Sequence, residues 1–215
     1  MDTKDTLLVL SGGMDSTTML YEYKERIGAC VNFSYGANHN AREAECARAN
    51  CRHLGIELIE IDLAFMGKYF KSSLLEGADA IPEAEYAPDN IASTVVPFRN
   101  GIMLSVAAGL AQSRRLSRVM IANHGGDHEI YPDCRPSFIA SMGEAIATGT
   151  GNEVQLEAPY TLLTKNDIAR RGASLGVDYS LTYSCYKGGE KHCGRCATCI
   201  ERRQALLAAD LTPDC

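Results

Sequence analysis

The sequence predicts a Rossmann-like α/β fold, a doubly wound parallel sheet of five strands followed by a small C-terminal metal-binding segment. Three observations carry this. Short apolar runs alternate with helix-length stretches, the rhythm of βαβ units. A Gly-Gly turn sits where the first apolar run hands over to the first helix. The alternation stops near residue 178, and four cysteines then cluster. With 215 residues, 46% of them hydrophobic and 22% charged, the chain is ordinary globular material. It is long enough to bury a core without staples. We divide it into an α/β domain, residues 1–177, and a four-cysteine segment with a terminal helix, residues 178–215.

The elements follow in order. Thr6–Leu10 (TLLVL) is a short apolar run and reads as a buried strand. Asp15–Ile27 has helical character and ends at Gly28; Ala29–Phe33 is the second strand. Asn40–Leu54 is a helix rich in Ala, Glu and Arg, closed by Gly55, and Glu57–Asp62 is the third strand. Residues 71–93, with Gly77, Pro82 and Pro88, read as an irregular, lid-like insert. Asn100–Arg114 is apolar nearly all round, so it should lie buried against the sheet. Val119–Ala122 is the fourth strand, Pro136–Thr148 a helix, Val154–Ala158 the fifth strand and Lys165–Leu175 a helix ending at Gly176. A last helix covers Thr198–Ala208.

Charge and cysteine content narrow the function classes. Lys plus Arg count 21 and Asp plus Glu 27, a formal net charge of -6, which argues against a nucleic-acid partner, since that affinity comes mainly from excess cations. The 9 cysteines cannot all pair. The start, MDTKDTLLVLSGG, lacks a signal-peptide pattern. The longest apolar run, Ile102–Ala111, is about half of the roughly 20 residues a membrane span needs. The expectation is a cytoplasmic chain with no membrane partner, in which cysteines serve as ligands rather than disulfides.

Leu10-Ser11-Gly12-Gly13-Met14-Asp15-Ser16-Thr17-Thr18 joins a strand to a helix. Glycines permit a tight backbone, and the helix N-terminus adds free amides and partial positive charge, so the loop can cradle an oxyanion. No lysine follows the glycines, so this is not the γ-phosphate loop GxxxxGK[ST], and it is not GxGxxG. A capped helix start, with Ser11 or Asp15 satisfying amides, would use the same residues. Cys185, Cys193, Cys196 and Cys199 have the spacing C-x7-C-x2-C-x2-C. Four thiolates this close fit a closed, structural tetrahedral zinc site; an iron–sulfur cluster or a pair of disulfides is the alternative, and the spacing is not that of a ferredoxin. Cys30, Cys46 and Cys51 read as buried apolar residues, and Cys215 is uninformative.

Other polar groups fall at strand ends, where a doubly wound sheet binds ligands. Phe33, Ser34, Tyr35 and His39 follow the second strand and are placed for a nucleotide or substrate; His39 is equally readable as a surface residue at a helix start. Arg99 and Asn100 open the apolar helix, where they could meet a phosphate or purine edge, or simply cap it. Asn123 to His128, including Asp127, follows the fourth strand; its two histidines are weak evidence for a metal. Tyr131-Pro-Asp-Cys-Arg-Pro136 is a loop made rigid by two prolines, presenting Asp133, Cys134 and Arg135. Lys165 puts a cation at a helix start, against the macrodipole, which implies a function.

SGGMDS resembles the pyrophosphate loop of the ATP-pyrophosphatase (PP-loop) superfamily. Together with FSYGxxH, VPxRN, NHGGDHxIYPDCRPSF, TKNDIxxxGxxLGVDYSLTYSCY and HCGRCxTCxER, running in order to about Arg203, it resembles the 7-cyano-7-deazaguanine synthase family of queuosine precursor biosynthesis. Two departures are Phe98, where a small residue, often Gly, is expected, and Ala37-Asn38 in place of Gln-Arg. The resemblance implies an ATP-dependent ligase converting 7-carboxy-7-deazaguanine and ammonia into the nitrile through adenylated acid and amide, with release of AMP and pyrophosphate. It implies Mg²⁺ with ATP, one structural zinc and a homodimer. Residues 10–18 with Phe33 and Ser34 would bind ATP. Tyr35, His39, Asn100, Asp127, Asp133 and Arg135 would bind substrate, and Asp15, Arg99 and Lys165 would act in catalysis. Rival readings are a tRNA-modifying adenylating enzyme, an enzyme that transfers the activated acid to a protein amine, and a non-catalytic ATP-binding regulator.

Overall fold

The structure, a computed structural model, describes residues 4–78, 81–83, 92–127 and 131–214. Five parallel strands form one sheet: β1 Thr6–Val9, β2 Ile27–Ser34, β3 Glu57–Asp62, β4 Arg118–Met120 and β5 Gln155–Glu157, in the order β3-β2-β1-β4-β5. The helices are α1 Met14–Glu22, α2 Asn40–Leu54, α3 Phe65–Tyr69, α4 Arg99–Ser113, α5 Pro136–Gly149, α6 Lys165–Ser174 and α7 Ala197–Ala208. The predicted doubly wound sheet is therefore observed. Its winding reverses between β1 and β4, which opens a crevice at their carboxyl ends.

Strand alternation distributes the core to both faces. Leu7 of β1 and Ala29, Val31 and Phe33 of β2 face one side, where Met103, Leu104, Ala107 and Ala111 of α4 and Ile146 of α5 cover them. Leu8 and Leu10 face the other side with Cys30, packed under Met19 and Leu20 of α1, Ala47 and Cys51 of α2 and Ile168 of α6. A smaller cluster joins α1, α6 and α7 through Met14, Tyr21, Ala169, Ala205 and Leu206.

Element ends differ from expectation where pairing overrides helix propensity. The first helix stops at Glu22 rather than Ile27. A turn closed by Arg26 N–H on the Tyr23 carbonyl (2.8 Å) drops the chain directly into β2, and Ile27 is fully buried. β2 is longer than Ala29–Phe33 because its register with β3 continues to Ser34↔Asp62. β4 and β5 are shorter than expected, three residues each. The five-residue α3 is too short for periodicity to reveal. Much of the irregular 71–93 insert, including Pro88, lies outside the described residues, as do His128 and Cys215.

The stretch 92–113 has the length and a mean hydropathy of 1.3 that would suit a membrane span. In the fold its regular helix is only Arg99–Ser113, roughly 22 Å at 1.5 Å per residue, short of a bilayer core of about 30 Å. It is a core helix of the sheet. Phe98 precedes it with φ +53, a left-handed conformation that explains why a small residue is expected there. Its ring covers Gly101, where a Cβ would come within 2.4 Å of it.

In the C-terminal segment Arg202 is fully buried. It donates to the Tyr179 carbonyl (2.6 Å), Thr182 (2.8 Å) and both carboxylate oxygens of Asp214 (2.7 Å).

Candidate active site

The loop after β1 is held from three sides. Asn32 Nδ2 donates to the carbonyls of Leu10 (2.8 Å) and Ser11 (3.1 Å). Ser11 Oγ accepts from Gly13 N–H at 3.1 Å and lies 3.0 Å from Ser16 Oγ. Tyr183 N–H, from the cysteine segment, donates to the Gly12 carbonyl at 3.0 Å. Gly12 has φ +95, and a Cβ there would sit 2.1 Å from the Glu43 carbonyl oxygen of α2. Only glycine lets the loop lie this close to α2. The first-turn amides of α1, which no intrahelical acceptor can use, are thereby set at the crevice.

Asp15, in that first turn, meets Lys165 from the first turn of α6. Lys165 Nζ donates to Asp15 Oδ2 at 3.0 Å and reaches Glu201 of α7 at 3.1 Å. His124, after β4, accepts the Gly126 N–H on Nδ1 (3.1 Å), and its Nε2 lies 3.6 Å from Asp15 Oδ2. Burial pushes the Asp15 carboxyl up, but Lys165 and His124 outweigh it and hold the group below the usual carboxylate range. Its other oxygen, Oδ1, is buried without a hydrogen-bond partner among the described residues, a donor that suits a hard cation.

Across the crevice stands Arg99. Its guanidinium lies 5.8 Å from the Tyr35 ring centroid and 5.6 Å from that of Tyr131. It donates one hydrogen bond, to Tyr35 Oη at 3.2 Å. Burial disfavours its charge, yet the phenols of Tyr35, Tyr131 and Tyr186 keep it a cation. A guanidinium with most of its donors unused among the described residues is ready for a carboxylate or phosphate. Beside it, His39 is buried, with Nε2 3.2 Å from Tyr35 Oη and 3.8 Å from Glu43 Oε2. Burial and Arg99 bring His39 down to about 4. Burial pushes Glu43 up to about 8, against the pull of Arg99.

The four predicted cysteine ligands converge. Their Sγ atoms lie within 4.8 Å of one another, with Cys193–Cys199 at 3.9 Å and Cys185–Cys196 at 4.0 Å. Tetrahedral zinc with Zn–S of about 2.3 Å would set sulfurs about 3.8 Å apart, so the donor set fits. Backbone N–H groups of Arg195 and Cys196 donate to Cys193 Sγ at 3.4 and 3.3 Å, as expected around a thiolate. The cluster lies beside the crevice, because Tyr183, Ser184, Tyr186, Thr198 and Glu201 of the same segment line it.

Of the residues singled out from the sequence, Leu10, Ser11, Gly13, Met14, Asp15, Ser16, Phe33, Tyr35, His39, Arg99, Asn100 and Lys165 line this one cavity. Gly12 supports it from behind. Thr18 turns away to the Tyr179 hydroxyl (2.8 Å), and Thr17 is buried. Ser34 is exposed, and its carbonyl accepts from Leu63 N–H. Asp133 spends its carboxylate on the Asn100 N–H (2.8 Å), capping α4 rather than facing the cavity. Arg135 is exposed outside the lining. Asp127 ends a short turn, Gly125–Asp127, and its side chain is outside the described residues. Sequence reasoning missed Glu43 and Glu201 as cavity groups; His124, read there only as weak evidence for a metal, packs beside Asp15 outside the lining. Glu43 and Glu201 sit on charged helices with nothing local to mark them, though Glu43 follows His39 by one helical turn.

A strand–glycine loop–helix at the switch point, with an acidic residue and a lysine meeting there, defines a nucleotide-binding α/β protein of the PP-loop kind. The solved structure of a 4-thiouridine synthetase–RNA complex with bound ATP shares the fold, with a TM-score of 0.53 at 16% identity over 95% of this chain and 50% of that one. The family model described as queuosine biosynthesis protein QueC matches residues 5–210. The 7-cyano-7-deazaguanine synthase of Porphyromonas gingivalis is 59% identical over 98% of this chain and 96% of its own length. That of Desulfotalea psychrophila is 47% identical over 94% and 93%. The chain belongs to this family of ATP-dependent ligases.

Proposed function

We propose that the chain converts 7-carboxy-7-deazaguanine and ammonia into 7-cyano-7-deazaguanine, spending ATP to AMP and pyrophosphate at each of two activations. The observation that carries the mechanism is the single crevice holding the PP-loop, the Asp15–Lys165 pair and the under-bonded Arg99. A carboxylate is a poor electrophile, and attack on the α-phosphate turns its oxygen into part of a good leaving group. The loop amides and the α1 N-terminus stabilise the departing pyrophosphate. Lys165 sits where negative charge builds on the α-phosphate, and Arg99 holds the acid's carboxylate. Asp15, through the unpartnered Oδ1, would hold Mg²⁺, which neutralises phosphate charge when bound. Zinc on the four cysteines would brace the wall formed by Tyr183, Ser184 and Tyr186. Ammonia gives the amide; activation of the amide oxygen and loss of AMP then give the nitrile. The tyrosine-lined crevice keeps water from the adenylate.

The partners of this reading are small molecules, and the net charge of -6 supports a free base rather than RNA as acceptor. It places the chain in the cytoplasm, where the zinc thiolates stay reduced. It also makes the chain a homodimer, supported by the part-exposed apolar residues Ile102 and Val106 of α4 and Phe138 and Met142 of α5 and by the exposed Phe98, whose ring meets Phe138 edge-on at 5.8 Å; a monomeric mass in sedimentation would rule that out. Residues 178–215 act as an appendage whose zinc fold completes the cavity. Mass spectrometry after mixing protein, MgATP, ammonium and the acid should show the amide and then the nitrile. Absence of both would overturn the proposal.

A further inference from the structure

Glu43 has no role in the scheme above, yet it lies inside the cavity. It sits in the first turn of α2, and its side chain, 17% exposed, lines the crevice together with Gly13, His39 and Arg99. A Cβ built on Gly13 would be 4.0 Å from Glu43 Oε1, so the carboxylate borders the loop that holds pyrophosphate. Its nearest cationic candidate, His39 Nε2, is 3.8 Å away, too far for a hydrogen bond. Among the described residues no hydrogen bond reaches the carboxylate. An acid in such a place lacks a small donor. Lys165 is committed to Asp15 and Glu201, and Arg99 acts on Glu43 through its charge, with no hydrogen bond to it among the described residues.

We propose that Glu43 is the ammonium-binding residue and the base that frees the nucleophile for the amide-forming step. The proposal rests on the adenylation reading above. Ammonium docks on the ionised carboxylate, the form its own positive charge favours; one N–H bond breaks, its proton passes to Glu43, and the nitrogen lone pair is released. The N–C bond forms at the adenylated carbonyl and the C–O bond to AMP breaks. The proton shed as the nitrogen becomes an amide leaves with the AMP phosphate. Glu43 returns its proton to solvent before the next cycle. Desolvation supports the role: with its proton affinity raised to about 8, the carboxyl is a closer match to ammonium than an ordinary carboxylate, so the transfer is less uphill. The ionisable groups facing it are His39 and Cys46 on its own helix or its start, Arg99 of α4 and Tyr35 after β2; the loop glycines bring none.

The test separates ammonia use from acid activation. Acid-dependent ATP–pyrophosphate exchange needs no ammonia, so Glu43→Gln should retain it within about twofold of wild type. The same variant should raise the KM for ammonium about ten- to a hundredfold, the range of a charge-assisted hydrogen bond, with little change in the KM for ATP. Glu43→Asp should recover part of the deficit. An unchanged ammonium KM, or exchange falling in step with nitrile formation, would overturn the assignment. A wild-type chain without exchange would remove the adenylation reading and this assignment together, whereas intact exchange with a normal ammonium KM in Glu43→Gln would remove this one alone.

Discussion

Asp15 is flanked by Lys165 at 3.0 Å and by His124, while Glu201 shares the lysine at 3.1 Å. Removing the Lys165 side chain leaves both carboxylates without the cation they share. Lys165→Ala is therefore expected to lower nitrile formation about 10²- to 10³-fold, the range for losing one donor to developing charge; unchanged turnover would refute the role given to Lys165. The loop residues and Lys165 were legible from the sequence because each breaks a local rule: glycines after a strand, a cation at a helix start. Glu43 and Glu201 break none, since a glutamate on a charged helix is ordinary until the fold turns it inward. Asp133 shows the converse. Its rigid loop marked it for recognition, and the fold uses its carboxylate to cap α4.

Gly12 shows how an element's geometry limits its sequence. With φ +95 and the α2 backbone 2.1 Å from a would-be Cβ, Gly12→Ala cannot be accommodated without moving the loop from α2. Such overpacking, with the left-handed strain, should destabilise the fold by about 2 kcal/mol and lower turnover far more than that fraction of unfolded protein explains; calorimetry beside a turnover assay would read both. At this scale the sequence was a good guide to element type. Helix α4 was expected at Asn100–Arg114 and occupies Arg99–Ser113. Boundaries failed where hydrogen-bond pairing decided them, as at Ile27, which reads as helix and folds as strand. Phe98 sits in a left-handed turn that usually calls for glycine, and Gly101 below it supplies the space its ring needs.

The sheet order β3-β2-β1-β4-β5 was implied only as a doubly wound class; which strands border the crevice depends on long-range pairing that no local pattern records. The position of the cysteine segment was equally invisible. Its spacing announced a metal but not that Tyr183 would fasten the loop after β1 or that Glu201 would join Lys165. Stripping zinc with a chelator is therefore expected to abolish turnover and lower Tm together, with both restored by added zinc; full activity in metal-free protein would show the cluster to be independent of the cavity. The same long reach has a consequence for synthesis on the ribosome. Asp15 and Lys165 are separated by 150 positions, and Glu201 lies further still. A growing chain displays its glycine loop, Asn32 and α2 early but gains Lys165, Tyr183 and Glu201 only late in its synthesis. At about 5–20 residues per second, the nascent protein spends most of its elongation time unable to hold a nucleotide properly, so ATP cannot template its folding and only the finished chain can begin to consume it.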